Sequence, residues 1–123
     1  MKYIFLIVLF AVVGCTSSLD IPDFDEKTWV LDKNGCNENR IKMVEPLTTS
    51  LEMIKGLSES EVLGLLGNPD MNELYTRNQK FYIYHITPSL ECGVTGQTSQ
   101  LFLEIRFSAT NRAREVMVKE SGE

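Results

Sequence analysis

Three thiols and one imidazole are the groups in this chain best equipped for chemistry: Cys15, Cys36, Cys92 and His85. Their spacing restricts what they can do. No two cysteines form a Cys-x-x-Cys pair, which removes the dithiol of a thioredoxin-type redox site. A structural zinc site takes four closely placed ligands, and a single histidine with widely separated cysteines is a poor set, so no metal is expected. No serine stands in a Gly-x-Ser-x-Gly turn, which leaves His85 without a nucleophile to activate. The carboxylates are no better placed for catalysis. Asp20, Asp23, Asp25 and Glu26 cluster ahead of any patterned segment, and Glu59 and Glu61 open a helix, so both groups read as solvated surface. Phosphate-binding glycine loops, nucleotide fingerprints and calcium loops are absent from the sequence. The expectation is a non-enzymatic protein without a cofactor.

Cys15 has a different chemistry open to it. Lys2 supplies a positive charge, an unbroken apolar run follows from Tyr3 to Val13, and the run ends in Val12-Val13-Gly14-Cys15. That order is a charged n-region, an h-region and a cleavage site. As a helix the run reaches roughly 16 Å, about half of a bilayer's ~30 Å hydrocarbon layer, and is too short to span it. A small Gly14 followed at once by cysteine, with Thr16-Ser17-Ser18 behind it, resembles the lipobox of bacterial lipoproteins. The resemblance implies that residues 1–14 are a signal peptide and that the Cys15 thiol receives a diacylglycerol. A fatty acid such as palmitate on the new amino terminus would give three acyl chains, enough for stable anchoring. Thr16 carries no acidic charge, so the implied destination is the outer membrane, facing the periplasm. The cell surface and the plasma membrane are the alternatives.

Removing the signal leaves 109 of the 123 residues, and loss of Lys2 takes the net charge from −5 to −6. That is one domain of modest size. Its acidic balance leaves no basic patch, so nucleic acid is not an expected partner and the lipid, not charge, holds the protein to the membrane. With Cys15 lipidated, Cys36 and Cys92 are the remaining thiols of an exported chain, and an even remainder favours a disulfide between them. Two free buried thiols, or a metal site with His85, are the alternatives.

Residues 15–25 are short, polar and acidic around Pro22, and read as the lipidated terminus and a tether, with residues 26–123 as the domain. Ile41, Val44, Leu47, Leu51 and Ile54 recur at steps of three or four and predict helix over residues 39–55. Pro46 either starts a second helical segment or kinks a continuous one. Ser58-Glu59-Ser60-Glu61 is a capping box for a short helix to Leu66, with Leu57 and Val62 as its staple and Gly67 and Pro69 as its stop. The period then changes to two. Residues 80–86, 100–107 and 114–119 read as strands, with residues 72–77 as a short strand before them. Ser108-Ala109-Thr110-Asn111 is short enough for a hairpin, and Asn111 tolerates a positive φ. The sum is an α+β two-layer sandwich in the order α-α-β-β-β, two helices on a three- to four-stranded antiparallel sheet.

The run Lys55-Gly56-Leu57-Ser58, then Val62, Leu65-Leu66-Gly67 and Pro69-Asp70, with aromatic-rich strands behind it, resembles the repeat unit of SmpA/OmlA (BamE-type) outer-membrane lipoproteins. The resemblance covers roughly residues 54–118, and among such proteins the chain is most similar to small envelope lipoproteins of Bacteroidetes type. It implies the fold and the envelope setting. Residues 29–53 and the pair Cys36 and Cys92 have no counterpart in that pattern. The function expected is a protein-interaction or scaffold module bound to an envelope protein. An accessory role in outer-membrane β-barrel assembly and inhibition of an envelope enzyme are the alternatives. If Leu101, Leu103, Ile105 and Phe107 face the helices, then Phe102, Glu104, Arg106 and Met117 face outward. With Phe81, Ile83 and His85 turned in, Tyr82 and Tyr84 would join the outward set as an aromatic partner-binding face; the alternative is that these side chains pack across the strands or are covered by Trp29 and the segment before Cys36.

Overall fold

The computed structural model describes residues 19–75, 79–93 and 99–122. Four short α-helices precede four strands: α1 Glu26–Leu31, α2 Val44–Thr49, α3 Leu51–Ile54, α4 Glu59–Leu66, then β1 Met71–Tyr75, β2 Gln79–His85, β3 Ser99–Phe107 and β4 Ala113–Gly122. The strands form one antiparallel sheet in sequence order. The chain is thus α+β, with more and shorter helical pieces than the sequence pattern predicts.

The local signals act as their chemistry dictates. Ser58 Oγ accepts from the Glu61 amide at 3.2 Å while the Glu61 carboxylate accepts from the Ser58 amide at 3.2 Å, so the capping box is complete. Gly67 ends α4 at φ +74°, and a Cβ there would lie 2.9 Å from a Val30 methyl, so glycine is also what lets α1 approach α4. Pro46 sits in the first turn of α2, where no amide bond is lost, and the helical region breaks instead at Ser50. The β3–β4 turn closes through Ser108 N to Arg112 O at 2.8 Å, with Asn111 at φ +58°.

Two segments depart from expectation. α1 is capped by Asp25, whose carboxylate accepts from the Thr28 amide at 3.2 Å and the Thr28 hydroxyl at 2.8 Å. Ahead of it, residues 19–25 are not a free tether. Ile21 and Phe24 are buried in the core, Leu19 packs against it, and a turn closes from Phe24 N to Ile21 O at 3.3 Å. Phe24 meets Trp29 at 5.3 Å between ring centroids, and the contact continues through Tyr84 and Tyr82 to Phe107. This row of rings runs the length of the core. Tyr82, Tyr84, Ile86, Leu103, Ile105, Phe107 and Val116 supply it from the sheet, and Trp29, Leu47, Ile54, Val62 and Leu66 from the helical layer.

Candidate interaction surface and the charged corner

Register fixes the side chains of the sheet's other face. Met71, Ile83, Glu104 and Met117 stand in one cross-strand row, Phe81, Arg106 and Glu115 in the next, and His85, Phe102 and Lys119 in a third. Side chains on this face are half-buried or exposed, in contrast to Tyr82, Tyr84, Leu103, Ile105, Phe107 and Val116, which are buried on the face behind. Arg106 Nη2 pairs directly across with Glu115 at 2.5 Å, and Lys119 reaches diagonally to Glu104 at 3.1 Å. Partly solvated pairs like these are worth up to about 1 kcal/mol each. These charges alternate with the apolar Ile83, Phe102 and Met117, and Glu104 stands between Ile83 and Met117 in their row.

Phe102, Glu104, Arg106 and Met117 therefore point away from the helices, as the alternation predicts. Tyr82 and Tyr84 do not. They are 3% and 0% exposed and lie opposite Ile105 and Leu103, within the core, while Phe81, Ile83 and His85 take the open side. The phase of β2 is inverted relative to expectation because both of its faces are rich in large apolar side chains, so alternation alone does not choose between them. Polar tips decide. Tyr84 OH donates to Gly67 O at 2.8 Å, at the end of α4, and Tyr82 OH donates to the Glu59 carboxylate at its start. Burial pushes both phenols well above the ordinary tyrosine range, so they act as donors and do not ionise. Lys80 holds the same carboxylate at 3.0 Å, and the Tyr82 hydrogen bond, reinforced by Lys80, keeps Glu59 below the usual carboxylate range.

At the other end of β2 lies a group of residues to which no functional or structural signal in the sequence points. Arg40 is 1% exposed, and its Nη1 donates to Asp70 Oδ2 at 2.6 Å and to His85 O at 2.9 Å. Its Nε donates to Trp29 O at 2.9 Å, and the guanidinium carbon stacks 4.8 Å from the centroid of the Trp29 ring. Asp70 completes its shell with the amides of Asn34 at 2.9 Å and His85 at 2.8 Å. Asp32, fully buried, accepts from the amides of Asn37, Asn39 and Arg40. A buried ion pair is tolerable only when every remaining donor and acceptor is used, and here the backbone supplies the missing partners. Cys36 and Cys92 form a disulfide at this corner, with Cα atoms 5.5 Å apart. Gly35 packs so closely that a Cβ would lie 2.7 Å from Thr87 O. The Gly-x-Pro-Asp run holding Asp70 reads in sequence only as a helix stop, and nothing local ties it to an arginine thirty residues earlier.

Beside this corner Asn34, Asp70, His85, Ser89, Leu90 and Glu91 line a recess of about 470 Å³. His85 Nδ1 and Ser89 Oγ are buried there without hydrogen-bond partners, and so are not bonded to each other. Burial holds the imidazole below its ordinary pKa, against the opposing pull of Asp70, so it is a neutral donor and acceptor at neutral pH. Among the described residues no group of three or more His, Cys, Asp or Glu side chains is placed to hold a metal. Cys15 and residues 1–14 lie outside the described residues, and no described helix is long and apolar enough to cross a membrane. Compared with protein-family models, curated proteins and solved structures, the chain gives no match.

Proposed function

We propose that this protein is a lipid-anchored envelope lipoprotein whose domain is a non-enzymatic interaction or scaffold module of SmpA/OmlA-like, two-layer type. The observation that carries the reading is the asymmetry of the sheet. One face of β2, β3 and β4 packs against the helices, while the other intersperses Ile83, Phe102 and Met117 with the pairs Arg106–Glu115 and Lys119–Glu104. Apolar side chains mixed with paired charges match the composition of a non-obligate protein interface, which taken as a whole is about as apolar as other protein surface. Tyr82 and Tyr84 leave the proposed face, and Ile83 joins Phe102, Glu104, Arg106 and Met117 on it. The lipobox at Cys15 supports the outer-membrane location, and the disulfide is in keeping with an oxidising compartment.

The test is crosslinking in intact membranes with the wild type and a Phe102→Ser, Met117→Ser double variant. Loss of a crosslinked envelope partner with an unchanged melting temperature supports the reading. Undiminished capture refutes the assigned face. Identification of the partner as a barrel-assembly component or as an envelope enzyme separates the two narrower roles.

A further inference from the structure

The packing of residues 19–25 has a consequence for how the domain sits on its membrane, given the lipidation at Cys15 proposed above. Leu19 is packed against the core and lines one recess with Phe24. Only three residues, Thr16, Ser17 and Ser18, separate it from Cys15. Four Cα steps reach at most about 14 Å even when fully extended. A domain of this size is about 30 Å across, with a radius of gyration near 13 Å. The link is therefore shorter than the body it holds, and the domain cannot turn freely above the lipid.

The rings give the orientation. Phe24 stacks on Trp29, and Trp29 on Tyr84 near the C-terminal end of β2, whereas Phe107 and the β3–β4 turn lie past Tyr82 at the N-terminal end. The seven residues of β2 span roughly 20 Å between those ends. We infer that the end of the domain carrying Leu19, α1 and the charged corner rests on the headgroup layer, and that the β3–β4 turn and the start of α4 point away from it. The partner of this end is the bilayer surface itself. Leu31, on the last turn of α1 and 71% exposed, and Leu90, 80% exposed beside the charged corner, are side chains available for apolar contact there, with Lys27 and Lys33 near Leu31 to reach phosphates. Asp20, Asp23 and Asp25 at the same end disfavour a strongly anionic leaflet and fit a zwitterionic one.

The test uses the full lipidated protein in vesicles of phosphatidylethanolamine with a minority of phosphatidylglycerol and nitroxide-labelled headgroups. Mass spectrometry first establishes the diacylglycerol on Cys15, and its absence overturns the anchoring reading and this proposal together. A fluorophore is then placed at Lys27→Cys or Ala109→Cys, labelled with Cys36 and Cys92 oxidised. Quenching several-fold stronger at Lys27 than at Ala109, reduced when a long Gly-Ser insert follows Ser17, is the expected result. Equal quenching at both positions on a lipidated protein overturns the proposed orientation alone. Quenching at Lys27 that survives the insert shows affinity independent of tether length and overturns the tether as its cause.

Discussion

The two ends of β2 are held by opposite means. At the C-terminal end a disulfide and a buried Arg40–Asp70 pair bind together segments distant in the chain, and a fully buried Asp32 orders the turn that leads to Arg40. At the N-terminal end the capping box of α4, the Glu59 contacts with Lys80 and Tyr82, and a hairpin turn hold the structure through shorter or partly solvated links. The first end is costly to assemble and severe to break. The second is built from weak pieces that each tolerate loss.

The comparison makes graded expectations. Arg40→Ala leaves Asp70 buried without its cation and removes the stack on Trp29. A loss of about 3–5 kcal/mol is expected, read as a shifted denaturation midpoint. A loss below about 1 kcal/mol, the scale of a surface pair, would mean that the corner is not what secures this end. Replacing Cys36 and Cys92 together by alanine opens a loop with a sequence separation of 56. That change is expected to remove about 2–4 kcal/mol. At roughly 4–8 °C per kcal/mol, the loss is readily seen in a thermal melt.

At the opposite end Glu59→Gln is expected to cost about 1–2 kcal/mol at neutral pH, because hydrogen bonds to the charged carboxylate are lost. The sign of its pH dependence follows from the lowered pKa. Folding favours the carboxylate, so this stability is fully present above the ordinary value of 4.5 and is lost as pH falls through the lower folded value. The gap between wild type and Glu59→Gln in denaturant melts therefore closes in acid, and a gap unchanged down to the acid limit would refute the assignment. Ser58→Ala, which removes one cap, is expected to cost about 1 kcal/mol, with the m-value unchanged.

Legibility divides along the same line. The α4 capping box, its Gly67 stop, the Asn111 hairpin and the alternation of β3 are all written within a few residues, and each acts as its local chemistry predicts. The cysteine pairing is also legible, because an even remainder of thiols leaves few alternatives. α1 is not legible in this way: Asp25 reads as part of a solvated acidic stretch, and the apolar residues behind it are too few to show a helical period.

What only the tertiary structure decided has a common cause: two local choices of nearly equal energy, separated by a contact far along the chain. β2 could bury either face until Glu59 and Gly67 supplied acceptors for the hydroxyls of Tyr82 and Tyr84. Residues 19–25 carry three apolar side chains, Leu19, Ile21 and Phe24, too few to show a period, and they join the core where Trp29 offers a ring for Phe24 to pack on. Arg40 and Asp70 look like ordinary surface charges until the disulfide-linked loop and the end of β2 enclose them with enough backbone partners to offset their desolvation. Local hydrogen bonds and spacing determine elements; which face is buried, and which charges are paired, depends on partners that only folding brings within reach.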